Sequence, residues 1–322
     1  MFKSNKTSKY ILIVLGLIGS LTWLSIFSFP DSKLHLIFCD VGQGDAILIT
    51  RGFDQILIDG GPNDKVLSCL ADNMPFWDKK IEVVALTHPE ADHLTGLLSV
   101  LDKYEVEYFL TGPEGNNSAG YQELLTRLTK SEILNLESEI KDTNFQNPKF
   151  KTFEKLKFLS FGFVSNFVLR ASDLTQVVNP YSGEKIKVGE IVLKSLWPEE
   201  EWAEAVLGTS TTSDHLNDFS LVFLMEYKDK KVLLMGDADS RVQYKFIDNL
   251  TALPIDILKF PHHGSKTGIT EEFLQKISPK VAVISVGKNS YGHPTKEALD
   301  LLNKFGVLIR RTDLEGDINY KF

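Results

Sequence analysis

The apolar run Ile81-Glu82-Val83-Val84-Ala85-Leu86 leads straight into Thr87-His88-Pro89-Glu90-Ala91-Asp92-His93. Two imidazoles and two carboxylates therefore follow a buried-strand pattern without a break. Burying so many polar groups inside a strand is costly, so the chain must bring them to a sheet edge where a loop opens. One reading of these residues is a metal site. The other is a polar helix start, in which Asp92 caps and the histidines are solvated, because short motifs produce false positives. The remainder of the chain decides between them.

The apolar segment Leu34–Phe38 ends at Cys39-Asp40, and the glycine turn Val41-Gly42-Gln43-Gly44-Asp45 leads into a second strand, Ala46–Thr50. Gln55–Ile58 reads as a third strand closed by Asp59-Gly60-Gly61. Helical spacing covers Asp64 to Asn73, and after the histidine motif Leu94, Leu97, Leu98 and Leu101 continue as an amphipathic helix. Val106–Leu110 then returns as a strand, completing a β-α-β unit with the polar cluster at the carboxyl end of its first strand. Strand patterns resume at Glu190–Leu196, Phe219–Met225 and Lys231–Asp237, followed by a helix over Ser240–Asn249. Ile255–Lys259 runs into a second donor-rich loop, Pro261-His262-His263-Gly264-Ser265. Thr270–Ile277 is helical, Val281–Val286 is a strand, and Tyr291-Gly292-His293-Pro294 opens the helix Lys296–Phe305. Short strands at Val307–Arg311 and Ile318–Phe322 end the chain. Two blocks of strands, each followed by helices, predict a sheet-on-sheet core with helices outside. Between Gly112 and Gly189 neither period holds, apart from a helix at Tyr121–Leu128. That segment reads as a lid, a packed insertion, a membrane-surface element or a plain surface excursion.

Tyr10 to Phe29 carries no charge over twenty residues, enough helix to cross a hydrocarbon core of about 30 Å at about 1.5 Å per residue. Lys3, Lys6 and Lys9 precede it, while Asp31 and Lys33 cancel beyond it. The positive-inside bias keeps residues 1–9 in the cytoplasm, makes 10–29 a transmembrane signal-anchor, and puts residues 33–322 outside. A cleaved signal peptide, giving a secreted protein, is the rival reading. With 43 acidic against 35 basic side chains, a net charge of -8, the whole surface does not advertise nucleic-acid binding. Lys259, Lys266, Lys288 and Lys296 flank the late motifs and are read as a local basic rim. Cys39 and Cys69 both lie in apolar segments, so buried free thiols are expected rather than a disulfide framework.

Asp59, the HPEADH stretch, Asp237 and the His262-His263 pair recur in order at the ends of apolar strands. With them the chain resembles the metallo-β-lactamase superfamily. More narrowly, FCDVGQGDAILI, LIDGG, THPEADHLTG, MGDAD, FPHHGSKTG and YGHP resemble the extracytoplasmic domain of ComEC-type competence proteins. The resemblance spans most of residues 34 to 322, with 112–189 its divergent part. It implies an α+β fold, the four-layer αβ/βα sandwich, with a two-metal site at one edge used for hydrolysis. It also implies that the competence domain acts on DNA. By that resemblance His88, Asp92 and His93 take the positions of the superfamily's HxHxDH, Glu90 replaces its middle histidine, Asp237 is the carboxylate shared by the metals, and His262 or His263 is the late histidine. A histidine that the superfamily supplies before the shared aspartate has no equivalent among Asn217-Asp218-Phe219-Ser220, and His215 is a poor substitute.

A carboxylate at Glu90 makes the site harder, favouring Mn²⁺ or Mg²⁺, with Zn²⁺ also compatible. Asp92 and Asp59 are candidates for activating water or orienting ligands, Asp59 more as a partner behind the ligands. Asp40 and Asp45 either support the same edge or serve turn chemistry. His293 either donates to a substrate oxyanion or phosphate, or packs; His35 reads as structural. The leading expectation is a membrane-anchored, outward-facing hydrolase that cleaves phosphodiester bonds, with DNA as substrate, by metal-activated water. Two alternatives accompany it: a hydrolase of a small ester, lactone, lactam or phosphoester, and a metal-poor binding module on the same fold.

Overall fold

A computed structural model of the protein describes residues 6–129, 167–168, 175–207, 213–250 and 253–322. The helix α1 (Lys6–Ser28) is followed by β1 (Leu34–Phe38), β2 (Ile47–Arg51), β3 (Asp54–Ile58), α2 (Val66–Asn73), β4 (Lys80–Leu86), α3 (Ala91–Lys103) and β5 (Glu105–Thr111). After α4 (119–129) come β6 (Phe167–Val168), β7 (Gln176–Val178), β8 (Lys185–Val188), β9 (Ile191–Trp197) and α5 (Glu200–Leu207). The second half adds β10 (Val222–Tyr227), β11 (Lys230–Leu234), α6 (Ser240–Phe246), β12 (Ile257–Lys259) and α7 (Glu271–Ile277). It closes with β13 (Val281–Ile284), α8 (Lys296–Lys304), β14 (Leu308–Arg311), α9 (Thr312–Glu315) and β15 (Ile318–Lys321).

These strands make two mixed sheets. One has the order β15-β1-β2-β3-β4-β5-β7, antiparallel from β15 to β3 and parallel from β3 to β7. The other has the order β14-β13-β12-β11-β10-β9-β8-β6, with β14 to β11 parallel and β11 to β8 antiparallel. Alternation along each strand sends one set of side chains between the sheets, where Phe38, Ile49, Ile56 and Ala85 meet Phe223, Met225, Leu234 and Val283. The other set faces helices. Leu48, Leu57, Val84 and Leu86 lie under α2, α3 and α4, while Leu224, Leu233, Leu258 and Ala282 lie under α6, α7 and α8. Both faces are covered, so the central strands read as nearly unbroken apolar runs. The result is the α+β sandwich of helices, sheet, sheet and helices.

Several expectations are corrected by this arrangement. Cys39 and Cys69 are not free thiols: they form a disulfide that ties the end of β1 to α2. Burial in apolar surroundings is common to free and paired cysteines, so it does not distinguish the two states. Lys259 is not part of a basic rim. It is fully buried at the end of β12, with Nζ 2.6 Å from Asp45, while Lys266 and Lys288 are exposed and Lys296 pairs with Asp300. The strand anticipated from Phe219 starts later, because Ser213–Phe219 is a 3₁₀ turn. Side chains of α1 are described from Lys9 to Ser20, and among the described residues no helix is long and apolar enough to cross a membrane. The anchor at 10–29 is therefore not carried by the described residues. Most of the 112–189 segment, including its aromatic stretch at 150–166, lies outside them.

Candidate metal centre

The two sheets converge at the carboxyl ends of β3, β4, β11 and β12, and each of those ends delivers part of one polar cluster. Asp59 follows β3 with φ of 60°, a left-handed conformation that an aspartate tolerates better than most residues. It is fully buried. Its Oδ1 accepts from the Thr87 backbone N–H at 2.8 Å, and its Oδ2 accepts from the Thr87 hydroxyl at 2.7 Å and from His93 Nδ1 at 2.8 Å. The start of α3 presses closely on this turn. A Cβ on Gly96 would lie 1.9 Å from the Gly60 carbonyl oxygen, which explains why glycines flank the site.

The histidines share one arrangement. His93 donates from Nδ1 to Asp59. His263 donates from Nδ1 to the Ser285 carbonyl at 3.0 Å. The Thr87 hydroxyl, having given its proton to Asp59, accepts from His88 Nδ1 at 3.1 Å. In each ring the proton is fixed on Nδ1, so the Nε2 lone pair is left facing inward. All three Nε2 atoms are buried and have no hydrogen-bond partner. Three convergent unsatisfied imidazole nitrogens are costly without a ligand. Asp237 lies between two of them, with Oδ1 3.5 Å from His93 Nε2 and Oδ2 3.5 Å from His263 Nε2. Asp92 reaches His263 Nε2 at 3.3 Å.

Possible ligand atoms within 4.8 Å of one another group as His88, His93 and Asp237; as Asp92, His93 and His263; as Asp45, Asp237 and His263; and as Asp45, Asp59 and His93. Nitrogen and carboxylate donors in this density fit a divalent cation. Where no cation holds them, the charges compensate one another. Burial opposes a charge on His93, but the Asp237 and Asp59 carboxylates more than offset it and raise its pKa well above the ordinary value. Burial is likewise overcome at His263, raised to about 10 by Asp237, Asp45 and Asp92. Asp237 is held well below the carboxylate range against its own burial, by His263 and His93.

Of the residues read from sequence, the structure brings together His88, Asp92, His93, Asp237 and His263. It turns His262 away: that ring faces His293 at 5.6 Å, and its backbone N–H donates to Asp237 at 3.2 Å. Both histidines have φ of 51°, and this turn is what sends neighbouring side chains in different directions. Glu90 is at the rim, 36% exposed and 3.9 Å from His88 Nε2, outside the four groups. It occupies the N-cap of α3 without a side-chain cap bond, and Asp92 lies inside the first turn, so the capping reading of the motif does not hold. His293 is half-buried beside His262, its pKa lowered by burial and by the neighbouring imidazoles. His215 is exposed and pairs with Asp218. Where an imidazole was missing from the sequence there is Ser220, whose hydroxyl accepts from the Asp237 backbone N–H at 3.2 Å.

Sequence reasoning missed Thr87, Lys259 and Ser285, and left Asp45 open. Asp45 is buried, 3.4 Å from His263 Nδ1, and Lys259 supplies its counter-charge. Its signal was present, since a carboxylate directly before the apolar run Ala46–Ile49 must be buried and paired. Ser285 acts through a backbone carbonyl, which no side-chain pattern encodes.

Comparison with known proteins agrees with this geometry. No family model matches the chain. Among curated proteins it is 25% identical over 346 residues to ComE operon protein 3 of Bacillus subtilis, covering 98% of this chain and 37% of that protein. It is 24% identical over 288 residues to Recombination protein 2 of Haemophilus influenzae, covering 88% of this chain and 28% of that protein. The chain thus spans well under half the length of either relative. Among solved structures, the metallo-β-lactamase fold protein YhfI of Bacillus subtilis superposes with a TM-score of 0.51 at 11% identity, over 89% of this chain and 99% of that one. CmlA, a diiron β-hydroxylase of Streptomyces venezuelae, gives 0.51 at 15% identity, over 91% and 55%. The chain has the metallo-β-lactamase fold, and its resemblance to ComEC-like competence proteins holds across the sequence.

Proposed function

We propose that the protein is a metal-dependent hydrolase, anchored in the membrane by residues 10–29 and facing outward, that cleaves phosphodiester bonds in DNA. The observation that carries the hydrolase reading is the cluster of three buried, unpartnered Nε2 atoms, two of them 3.5 Å from Asp237. Asp92, His93 and His263 would hold one cation and His88 the second, with Asp237 within reach of both and Glu90 at the rim beside His88. Divalent cations bound there supply water activation and charge stabilisation at a phosphoryl oxygen. The chain's own task is positional: Asp59, Thr87 and the Ser285 carbonyl hold the Nδ1 protons, and Asp45 steadies His263. His293, beyond His262 at the rim, donates to a substrate oxygen. The oxygen donors Glu90, Asp92 and Asp237 favour Mn²⁺, with Mg²⁺ and Zn²⁺ as alternatives.

DNA as substrate is supported by the resemblance to ComEC-like competence proteins and by the name of one relative, Recombination protein 2. Outward orientation is supported by Lys3, Lys6 and Lys9 and by the Cys39–Cys69 disulfide, since such bonds persist in oxidising compartments. The anchor is supported by the uncharged sequence Tyr10–Phe29 and by the exposure of Tyr10 to Leu15, Leu17 and Ile18, apolar side chains that call for an apolar surrounding.

The direct test incubates the purified full chain with single- and double-stranded DNA and Mn²⁺, beside His88→Ala. Cleavage by the wild type and its loss in the variant is the expected result. Absence of cleavage, with the variant indistinguishable, removes the nuclease reading, and a screen of small chromogenic esters and phosphoesters then addresses the substrate.

A further inference from the structure

We propose that the folded domain sits directly on the lipid surface through a patch made of Phe29, Phe53, Phe76 and Trp77, and that this seat turns the metal centre away from the bilayer. The inference rests on the anchored reading above and adds a second point of membrane contact. Phe29 is the last residue of the uncharged run, and its ring packs edge-on against Phe53 at 6.1 Å and Trp77 at 5.9 Å. Phe53 and Trp77 in turn meet at 5.6 Å. Three separate parts of the chain supply these rings: the end of α1, the β2–β3 turn, and the connection from α2 to β4. All four side chains are exposed, Phe29 by 59%, Phe53 by 46%, Phe76 by 74% and Trp77 by 45%.

Aromatic rings gathered like this and left open to solvent mark a contact surface. Continuity with α1 identifies the occupant, because the ring that completes the cluster ends the same segment whose neighbours enter the membrane. Phenylalanine and tryptophan at such a boundary match the aromatic belts of the membrane interface. The junction is also fastened. The Gly52 backbone N–H donates to the Asp31 carbonyl at 3.2 Å, and the Asp31 carboxylate pairs with Lys321 at 2.5 Å and His35 at 3.0 Å. The exit of α1 is thereby tied to β1, β15 and the β2–β3 turn that carries Phe53.

Strand direction then fixes the orientation. β3 starts beside Phe53 and leads into Asp59, and β4, parallel to it, starts three residues after Trp77 and leads into Thr87 and His88. Six residues at about 3.3 Å each put the centre roughly 20 Å from the patch, at the opposite end of the sheet. Substrate therefore reaches the metal centre from the aqueous side, well clear of the lipid headgroups.

The test uses the full chain in vesicles of phosphatidylcholine and phosphatidylglycerol, with a nitroxide attached in turn at Phe53→Cys, Phe76→Cys, Ile13→Cys and Lys288→Cys. Collisions with lipid-soluble oxygen and with a water-soluble nickel chelate are compared. Labels at 53 and 76 should favour oxygen severalfold, approaching the label at 13, whereas the label at 288, exposed three residues beyond Ser285, should favour nickel. A lipid signature at 13 with an aqueous one at 53 and 76 overturns the seat and leaves the anchor standing. Aqueous signatures at 13, 53 and 76 overturn both. Shielding of 53 and 76 from both reagents means a second protein copy covers the patch, which also overturns the proposal.

Discussion

Replacing Asp59 by asparagine tests whether the carboxylate behind His93 sets the metal affinity. Asparagine tolerates the positive φ of this position and keeps the side-chain shape, so the change is confined to hydrogen bonding. Asp59 receives three donors: the Thr87 N–H, the Thr87 hydroxyl and His93 Nδ1. An amide cannot accept at both ends. With its NH₂ toward Thr87 N it faces a buried backbone donor that has no way to adjust. With its NH₂ toward His93 the imidazole can adjust, by moving its proton to Nε2. The second arrangement wins, and it blocks the nitrogen that would bind the cation. Loss of such a partner costs about 10- to 100-fold in metal affinity, or about 1.4–2.8 kcal/mol. Titration calorimetry with Mn²⁺ and Zn²⁺ on the metal-stripped full chain reads the change. The same carboxylate helps to hold His93 protonated in the absence of metal, so the wild type suffers more proton competition, and the gap between the two proteins should widen as pH rises. Affinities equal within about twofold, in a variant that melts like the wild type, would refute the reasoning.

Three further outcomes follow from buried groups. Lys259→Met strands the Asp45 carboxylate in the interior and should cost about 3–5 kcal/mol, much of it recovered by adding Asp45→Asn; a single-variant loss below about 1 kcal/mol in guanidinium unfolding contradicts a buried pair. Glu114 is buried with neither carboxyl oxygen partnered, and burial raises its pKa well above 4.5. The folded state thus holds this proton more tightly than the unfolded state, and stability is lost as pH rises above the ordinary carboxyl value. Glu114→Gln should then match the wild type near pH 4 and exceed it by about 1–3 kcal/mol at pH 8, and equal stabilities at both pH values in thermal melts count against that. Removing the disulfide with Cys39→Ala and Cys69→Ala opens a loop of 30 residues in sequence separation. The chain-entropy model puts the loss at about 4 kcal/mol, and a reductant should destabilise the wild type alone.

The parts of this molecule that could be read from sequence are those where a side chain's own chemistry announces its surroundings. Apolar runs ending in donors gave the strands and their edge, and the structure brings His88, Asp92, His93 and Asp237, singled out through the resemblance, to that edge. What stayed hidden depends on direction and on pairing across the fold. Nothing local distinguishes His262 from His263; their shared positive φ does so only once the turn exists. Lys259 reads as a surface lysine until β12 is set opposite the glycine turn that carries Asp45. Glu90 looks equivalent to its neighbours in the motif, yet as the N-cap of α3 it is left at the rim.

The disulfide and the metal centre are connected through chain topology. Cys39 and Cys69 close a loop that contains both Asp45 and Asp59, the carboxylates that steady His263 and His93. The crosslink therefore limits the freedom of two groups on which ligand orientation depends, and such preorganisation lowers the ordering cost of binding a cation. It also makes compartment relevant to affinity. On the oxidising side of a membrane the bond persists, and the Nδ1 partners stay in place. In a reducing compartment the same chain would lose that restraint, and its two positioning carboxylates would be held by their hydrogen bonds and ion pairs alone. The outward orientation argued from the N-terminal lysines and the geometry of the centre thus bear on one another: the side of the membrane that allows the disulfide is the side on which the ligand set is best held.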